Sequence, residues 1–264
     1  MIFRYCIRTC PQRQTLCEEL FQKLREHLPA DVEIDIVNDD IGRAPIMVFA
    51  RYIERLLASN IEFDHLVTLE DDAIFNDYLH ENLCSMPIFK QPSVGCVQLS
   101  LASIWDMASP YTLYSHELEA YFRTYRLHYS CGLTMSKSFL KALKLDEWTD
   151  KGGWGFDILY TEECIKQGML HVLQYPSLVA TKPTTASTLG HSYEATDELY
   201  CPDWRLATKN AAYKKWAGQE RLYGFKKKVG EPDDNPIQRT KYYLSYFKED
   251  ILEKGNVLKE RTIR

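Results

Sequence analysis

The stretch that most constrains this chain is Phe63-Asp64-His65-Leu66-Val67-Thr68-Leu69-Glu70-Asp71-Asp72-Ala73-Ile74-Phe75. Leu66, Val67 and Leu69 are the residue types that fill the middle of a parallel sheet, which is apolar on both faces. They run straight into three consecutive acids. Adjacent carboxylates repel one another and sit comfortably together only in water or around a cation. In open α/β sheets ligands bind beyond the carboxyl ends of the strands, so the acids fall where a site is expected. Oxygen ligands on a short loop suit Mg²⁺ or Mn²⁺, which bind one or two carboxylates together with substrate phosphates. The same residues also fit a plainer account: a strand followed by a solvated acidic turn, with Asp72 as a helix N-cap.

The chain before this stretch reads as strand, helix, strand. Residues 2–8 alternate and are β-rich, and Thr9-Cys10-Pro11-Gln12-Arg13-Gln14 makes a loop. A helix over Gln14–His27 carries Leu16, Leu20, Phe21 and Leu24 at helical spacing. Residues 32–37 alternate again and end in Asn38-Asp39-Asp40. This is the start of a nucleotide-binding α/β sheet. The loop after a first strand is a usual place for a nucleotide, and Asp39, at the end of the second strand, is a candidate for holding a base or ribose; for the loop itself an N-cap Thr9 and a solvent-exposed Arg13 are the plain reading. A second helix, 46–59, has an apolar face of Val48, Phe49, Tyr52, Ile53, Leu56 and Leu57. Arg43, just before it, is placed to meet a phosphate.

After the acidic strand, 76–84 reads as a short helix and 94–99 as a strand. Residues 102–126 are aromatic and irregular, which suits stacking on sugars or bases and equally suits packing under a long loop. Residues 129–140 run from strand to helix with Ser136 as the N-cap, and Gly132 would let the backbone approach a ligand closely. Lys151-Gly152-Gly153-Trp154-Gly155-Phe156-Asp157 is a loop that can move and present one carboxylate, or one in which Asp157 only caps the helix 158–168. Residues 170–180 read as a strand running into a Tyr-Pro turn, followed by Ser187-Thr188 and Leu189-Gly190-His191-Ser192.

Leu69-Glu70-Asp71-Asp72 resembles the DxD-type motif of GT-A fold glycosyltransferases. It is most similar to the LEDD form of glycosyltransferase family 25, the lipopolysaccharide and collagen galactosyltransferase type. The likeness extends over roughly residues 1–195, and it rests on the order of the motifs: nucleotide loop, acidic strand, small-residue strand, Gly-Trp-Gly-acid loop, Tyr-Pro turn. It implies an α/β, Rossmann-like GT-A domain with a mostly parallel central sheet. It further implies that Asp72 ligates Mn²⁺ or Mg²⁺ held by the donor's diphosphate, with His191 as a second protein ligand. Glu70 would face the donor sugar or ribose, with Asp71 also among the donor-binding residues, Thr9 and Arg13 would meet the nucleotide, and Asp39 the base or ribose. Asp157 would be the base of an inverting transfer, with Glu162 and Glu163 as weaker candidates. The implied activity is transfer of a sugar from a nucleotide-sugar, a UDP-sugar by expectation, to an acceptor hydroxyl on a surface glycan or a lipid-linked saccharide. Two other readings stay open: a viral DNA glycosyltransferase acting on hydroxymethylated bases, and a non-catalytic module that keeps the fold. A nucleotidyltransferase would show a Gly-rich loop after the first strand, and residues 9–14 contain no Gly.

With 264 residues the chain is expected to form a catalytic domain over 1–200 and a basic, mainly helical extension over 201–264. The extension carries 15 Lys and Arg against 9 Asp and Glu, about +6 on a chain of net charge −5. A basic tail on an acidic body fits a polyanionic partner, such as a membrane surface touched peripherally, nucleic acid or an acidic glycan. It fits solvated helix faces as well. No run of about 18 apolar residues marks a transmembrane helix. Arg4 and Arg8 interrupt the N-terminal apolar run, so a signal peptide is not expected and a cytoplasmic protein is. None of the eight cysteines forms CxxC, so free thiols are expected.

Overall fold

The computed structural model describes residues 1–40, 45–100, 112–115, 120–123, 131–147, 160, 163–164, 166–174, 176–182 and 200–207. Their elements, in order, are β1 (Phe3–Thr9), α1 (Gln14–His27), β2 (Ile34–Asn38), α2 (Pro45–Ala58), β3 (His65–Glu70) and β4 (Ala73–Phe75). Then come α3 (Leu79–Ser85), β5 (Val94–Gln98), β6 (Thr112–Ser115), β7 (Ala120–Arg123), β8 (Gly132–Ser136), α4 (Lys137–Ala142), β9 (Leu170–Leu173) and β10 (Val179–Thr181).

Eight strands form one sheet in the order β2-β1-β3-β8-β5-β9-β7-β6, and β10 pairs with β4 in a second, two-stranded sheet. β1 is parallel to both β2 and β3, and β5 is parallel to β9. β8 runs against β3 and β5, and β7 against β9 and β6. All strands of the larger sheet but β8 and β7 therefore point one way. This is the α/β, Rossmann-like architecture with a mostly parallel central sheet that the sequence predicts. Of the expected C-terminal extension 201–264 only residues 201–207 are described, and these form turns; the rest lies outside the described residues. Among the described residues no helix is long and apolar enough to cross a membrane.

The two faces of the sheet carry separate apolar layers. Phe3, Tyr5 and Ile7 of β1 point to the layer that holds Cys17, Leu20 and Leu24 of α1, with Val67 and Leu69 of β3. Cys6 and Leu66 point the other way, to Phe49, Tyr52, Ile53 and Leu56 of α2 and Phe139 and Leu140 of α4. β3 is thus apolar on both faces, as its sequence requires. Arg4 breaks the apolar pattern of β1 because Asp35 of β2 takes its guanidinium in two bonds of 2.6 and 2.7 Å, and Tyr52 donates to the same carboxylate at 2.6 Å.

Three local readings change. The chain does not enter a helix after Asp72; it continues as β4, so Asp72 is not an N-cap. α3 starts at Leu79 rather than 76 because Asn76 is occupied otherwise: its amide donates to the carbonyls of Cys201 (2.6 Å) and Trp204 (3.0 Å) and so docks the 200–207 segment. Residues 170–180 are two strands in two sheets, β9 and β10. Pro176 between them has no N–H to give a ladder, and the chain leaves the central sheet there. Ser136 does cap α4, accepting from the Phe139 N–H at 3.2 Å.

His65, the first residue of β3, is buried in an aromatic nest. It stacks on Phe3, meets Phe89 edge-on at 5.0 Å and donates from Nε2 to the Phe89 carbonyl at 3.2 Å. Burial pushes its pKa below the ordinary 6.5, against the opposing pull of that carbonyl and of Asp64; His80 is lowered by burial too. A lowered imidazole contributes stability that is present above about 6.5 and is lost as the pH falls below it. Urea unfolding at a series of pH values should therefore show stability declining on the acid side of 6.5. His65→Phe should reduce that slope, with His80 keeping part of it; an unchanged slope would contradict the assignment.

Candidate metal centre

The strand order reverses between β1 and β3: the chain leaves β1 toward β2 on one side, and β3 begins on the other. Such a reversal opens a crevice at the carboxyl ends of the strands. The loop after β1 and the three acids after β3 both lie there. The register pairs Arg8 of β1 with Glu70 of β3, which sets two opposite charges side by side.

The acids are not a solvated turn. Asp71 is 4% exposed and Asp72 7%. Nor do they depend only on water or a cation for their charge balance, as the sequence suggests, because two arginines and a threonine compensate them. Arg13 reaches from the short helical turn before α1 and bridges both aspartates, Nη1 to Asp71 Oδ1 at 2.7 Å and Nη2 to Asp72 Oδ2 at 2.8 Å. Thr9 Oγ1 donates to Asp71 Oδ2 at 2.8 Å. Arg8 Nη2 donates to Glu70 Oε1 at 3.0 Å while its guanidinium lies over the Phe49 ring. Main-chain bonds fix the frame: Asp71 N–H to the Arg8 carbonyl at 3.1 Å, Glu70 N–H to the Cys131 carbonyl at 2.9 Å, and Lys182 N–H to the Asp72 carbonyl at 2.7 Å.

Charge follows from this packing. Burial pushes the Asp71 carboxyl up to about 6, with Thr9 and Arg13 pulling it down and Asp72 and Glu70 pushing it up. Burial alone would lower the pKa of Arg13, but Asp72 and Asp71 outweigh it and hold the guanidinium charged. Burial also keeps the Cys131 thiol well above its ordinary value.

One carboxylate oxygen from each of Glu70 and Asp72 lies with Cys131 Sγ inside a group whose atoms are all within 4.8 Å of one another. Asp72 Oδ1, the oxygen that Arg13 leaves uncovered, is buried and has no hydrogen-bond partner among the described residues. An orphaned buried carboxylate oxygen beside a second carboxylate is a donor set that fits a divalent cation. Asp72 and Glu70 are the residues that would hold it.

The remaining sequence candidates fall as follows. Asp39 is buried just past β2, and its N–H bonds the Thr9 carbonyl at 2.9 Å, which draws it to the same crevice. Arg43, Asp157, Glu162 and His191 lie outside the described residues. Glu163 is buried, and its Oε1 accepts from Lys166. Gly132 is needed for packing: a Cβ there would come within 2.7 Å of Val179. Sequence reasoning missed Arg8 and Cys131. The signal for Arg8 was a charged residue recurring on the inward phase of an apolar strand, since a buried Arg requires a partner. Cys131 gave no signal beyond its burial.

No family model matches this chain, and no curated protein sequence matches it. Among solved structures it is similar to a protein from STIV at 12% identity and a TM-score of 0.41, over 68% of this chain and 84% of that one. It is similar also to a Drosophila β-galactosyltransferase mutant complexed with manganese, UDP-galactose and xylobiose (13%, 0.42, 80% and 84%). A third is the inositol-1-phosphate CTP transferase from T. maritima (14%, 0.36, 74% and 75%). At these identities and scores the likenesses assign no chemistry to this chain.

Removing Arg13 would leave two buried carboxylates without their counter-charge. Arg13→Gln should lower the unfolding free energy at neutral pH by about 3 kcal/mol. Asp71→Asn added to it should recover most of that loss. Urea denaturation of the single and double variants checks both; a stable Arg13→Gln protein would show that the guanidinium is not what balances the acids.

Proposed function

We propose that this chain is a divalent-cation-dependent glycosyltransferase of the GT-A type, moving a sugar from a nucleotide-sugar to an acceptor hydroxyl. The observation that carries the reading is the pairing of half-buried Glu70 with buried Asp72 at the chain-reversal crevice, with Asp72 Oδ1 unsatisfied. Acids buried at the carboxyl end of the central strand fit poorly with a purely structural role, since a buried ionic cluster is a weak source of stability. They fit a site that must hold a cation against a diphosphate.

In this reading Mn²⁺ or Mg²⁺ on Asp72 neutralises the leaving diphosphate when bound. The chain's own groups do the rest. Arg13 stands at the head of α1, where a phosphate is favoured by the helix N-terminus, and Thr9 ends β1 at the start of the same loop. Arg13 therefore serves two partners, the aspartates and the donor. Asp39 lies on the side of the crevice where base or ribose would rest. Asp157 would take the proton of the attacking hydroxyl, giving inversion at the anomeric carbon, and His191 would add a second protein ligand. The donor is a UDP-sugar and the acceptor a hydroxyl of a surface or lipid-linked saccharide, which the basic segment 201–264 would help to hold against an anionic surface.

Incubation with a panel of UDP-, GDP- and CMP-sugars should release nucleotide from one donor in Mn²⁺ and not in EDTA. Asp72→Asn should reduce that release about 100-fold. If no donor is cleaved and calorimetry shows no nucleotide binding, the glycosyltransferase reading is wrong.

A further inference from the structure

We infer that Cys131 completes the centre as a sulfur ligand beside Glu70 and Asp72, so that the site prefers a later first-row transition cation such as Co²⁺ or Zn²⁺ to Mg²⁺. The inference rests on the reading of Glu70 and Asp72 as a cation site and adds to it the ligand that sets selectivity.

Three observations carry it. Cys131 Sγ belongs to the same 4.8 Å group as the two carboxylates, and the residue is 0% exposed. Its place is fixed by backbone. The Glu70 N–H bonds the Cys131 carbonyl at 2.9 Å, the Leu99 N–H bonds the Gly132 carbonyl at 2.9 Å, and the Gly132 N–H bonds Ser100 Oγ at 3.2 Å. Val179 fills the space beside Gly132 and closes off movement on that side. The three ligand atoms therefore sit on the ends of neighbouring strands, where a site is held more accurately than on free loops. Finally, the sulfur's hydrogen bonds are the weak ones of a thiol, a donation to the Ala180 carbonyl at 3.5 Å and a bond with the Thr181 side chain, so little is lost when it turns to a cation.

Chemistry then decides the cation. Mg²⁺ demands near-octahedral oxygen and keeps its waters, whereas a thiolate is a soft ligand that favours later first-row ions. Coordination exchanges the S–H bond for a sulfur–metal bond, and the proton passes to bulk water.

The test uses the full chain with Cys10→Ser and Cys84→Ser, which removes the two thiols outside the buried set. Titration with Co²⁺ should produce a thiolate-to-cobalt charge-transfer band in the near ultraviolet. Cys131→Ser should abolish the band and weaken Co²⁺ binding about 10-fold or more, with Mg²⁺ binding little changed. Asp72→Asn should abolish the band with every buried thiol still present, which covers the case that Cys131→Ser does not fold. Co²⁺ binding that Asp72→Asn removes, but without any thiolate band, would overturn the role of Cys131 and leave the carboxylate site standing. No cation binding at all would overturn both.

Discussion

The bridge that Arg13 makes between Asp71 and Asp72 is what the arrangement around it depends on. Three negative charges follow one another at the end of a strand buried on both faces. In a medium of low dielectric such a run would take up protons or unfold locally. One planar guanidinium with donors on both nitrogens satisfies two carboxylates at once, and a second, Arg8, takes the third. That solution fixes the loop after β1 against the end of β3 and sets the width of the crevice between them. It also accounts for the split in behaviour among the acids: Asp71 has both oxygens covered, by Thr9 and Arg13, whereas Asp72 keeps one oxygen open.

Sheet topology supplies the rest of the centre. A parallel neighbour of β3 would bring its own carboxyl end to the crevice. β8 runs the other way, so what arrives beside Glu70 is the beginning of the strand, with Cys131 just before it. The small two-stranded sheet of β4 and β10 then covers this corner, and its Val179 presses on Gly132. A cysteine that looks like one more small buried apolar residue thereby comes to face two carboxylates.

The architecture was largely legible. Periodicity marked β1, α1, β2, α2 and β3, because amphipathic helices and a doubly apolar strand leave strong patterns. The position of the site was legible too, since the acids stand where the strand ends. Its internal wiring was not. Thr9 and Arg13 read as groups that meet a nucleotide, and that they also bond Asp71 and Asp72 emerges only from strand register. Asn76 read as the start of a helix and is the clamp on residues 200–207. The strand over 170–180 divided at Pro176, a break that tertiary placement decides. Cys131 could be found only from coordinates, because its partners lie some 60 residues away in sequence.

The acids at the end of β3 also bear on the chain before it is folded. The run from Leu66 to Leu69 is short, β-prone and apolar, the kind of segment that pairs with copies of itself. β1, one of its neighbours, precedes it, but β8, which covers its other edge, is made later. Synthesis is slow enough for such a strand to wait exposed. Glu70, Asp71 and Asp72 place three like charges at its tip, so two copies paired in register would repel. The charge that the finished protein neutralises with Arg8 and Arg13 is thus of the kind that flanks and guards apolar strands against self-pairing.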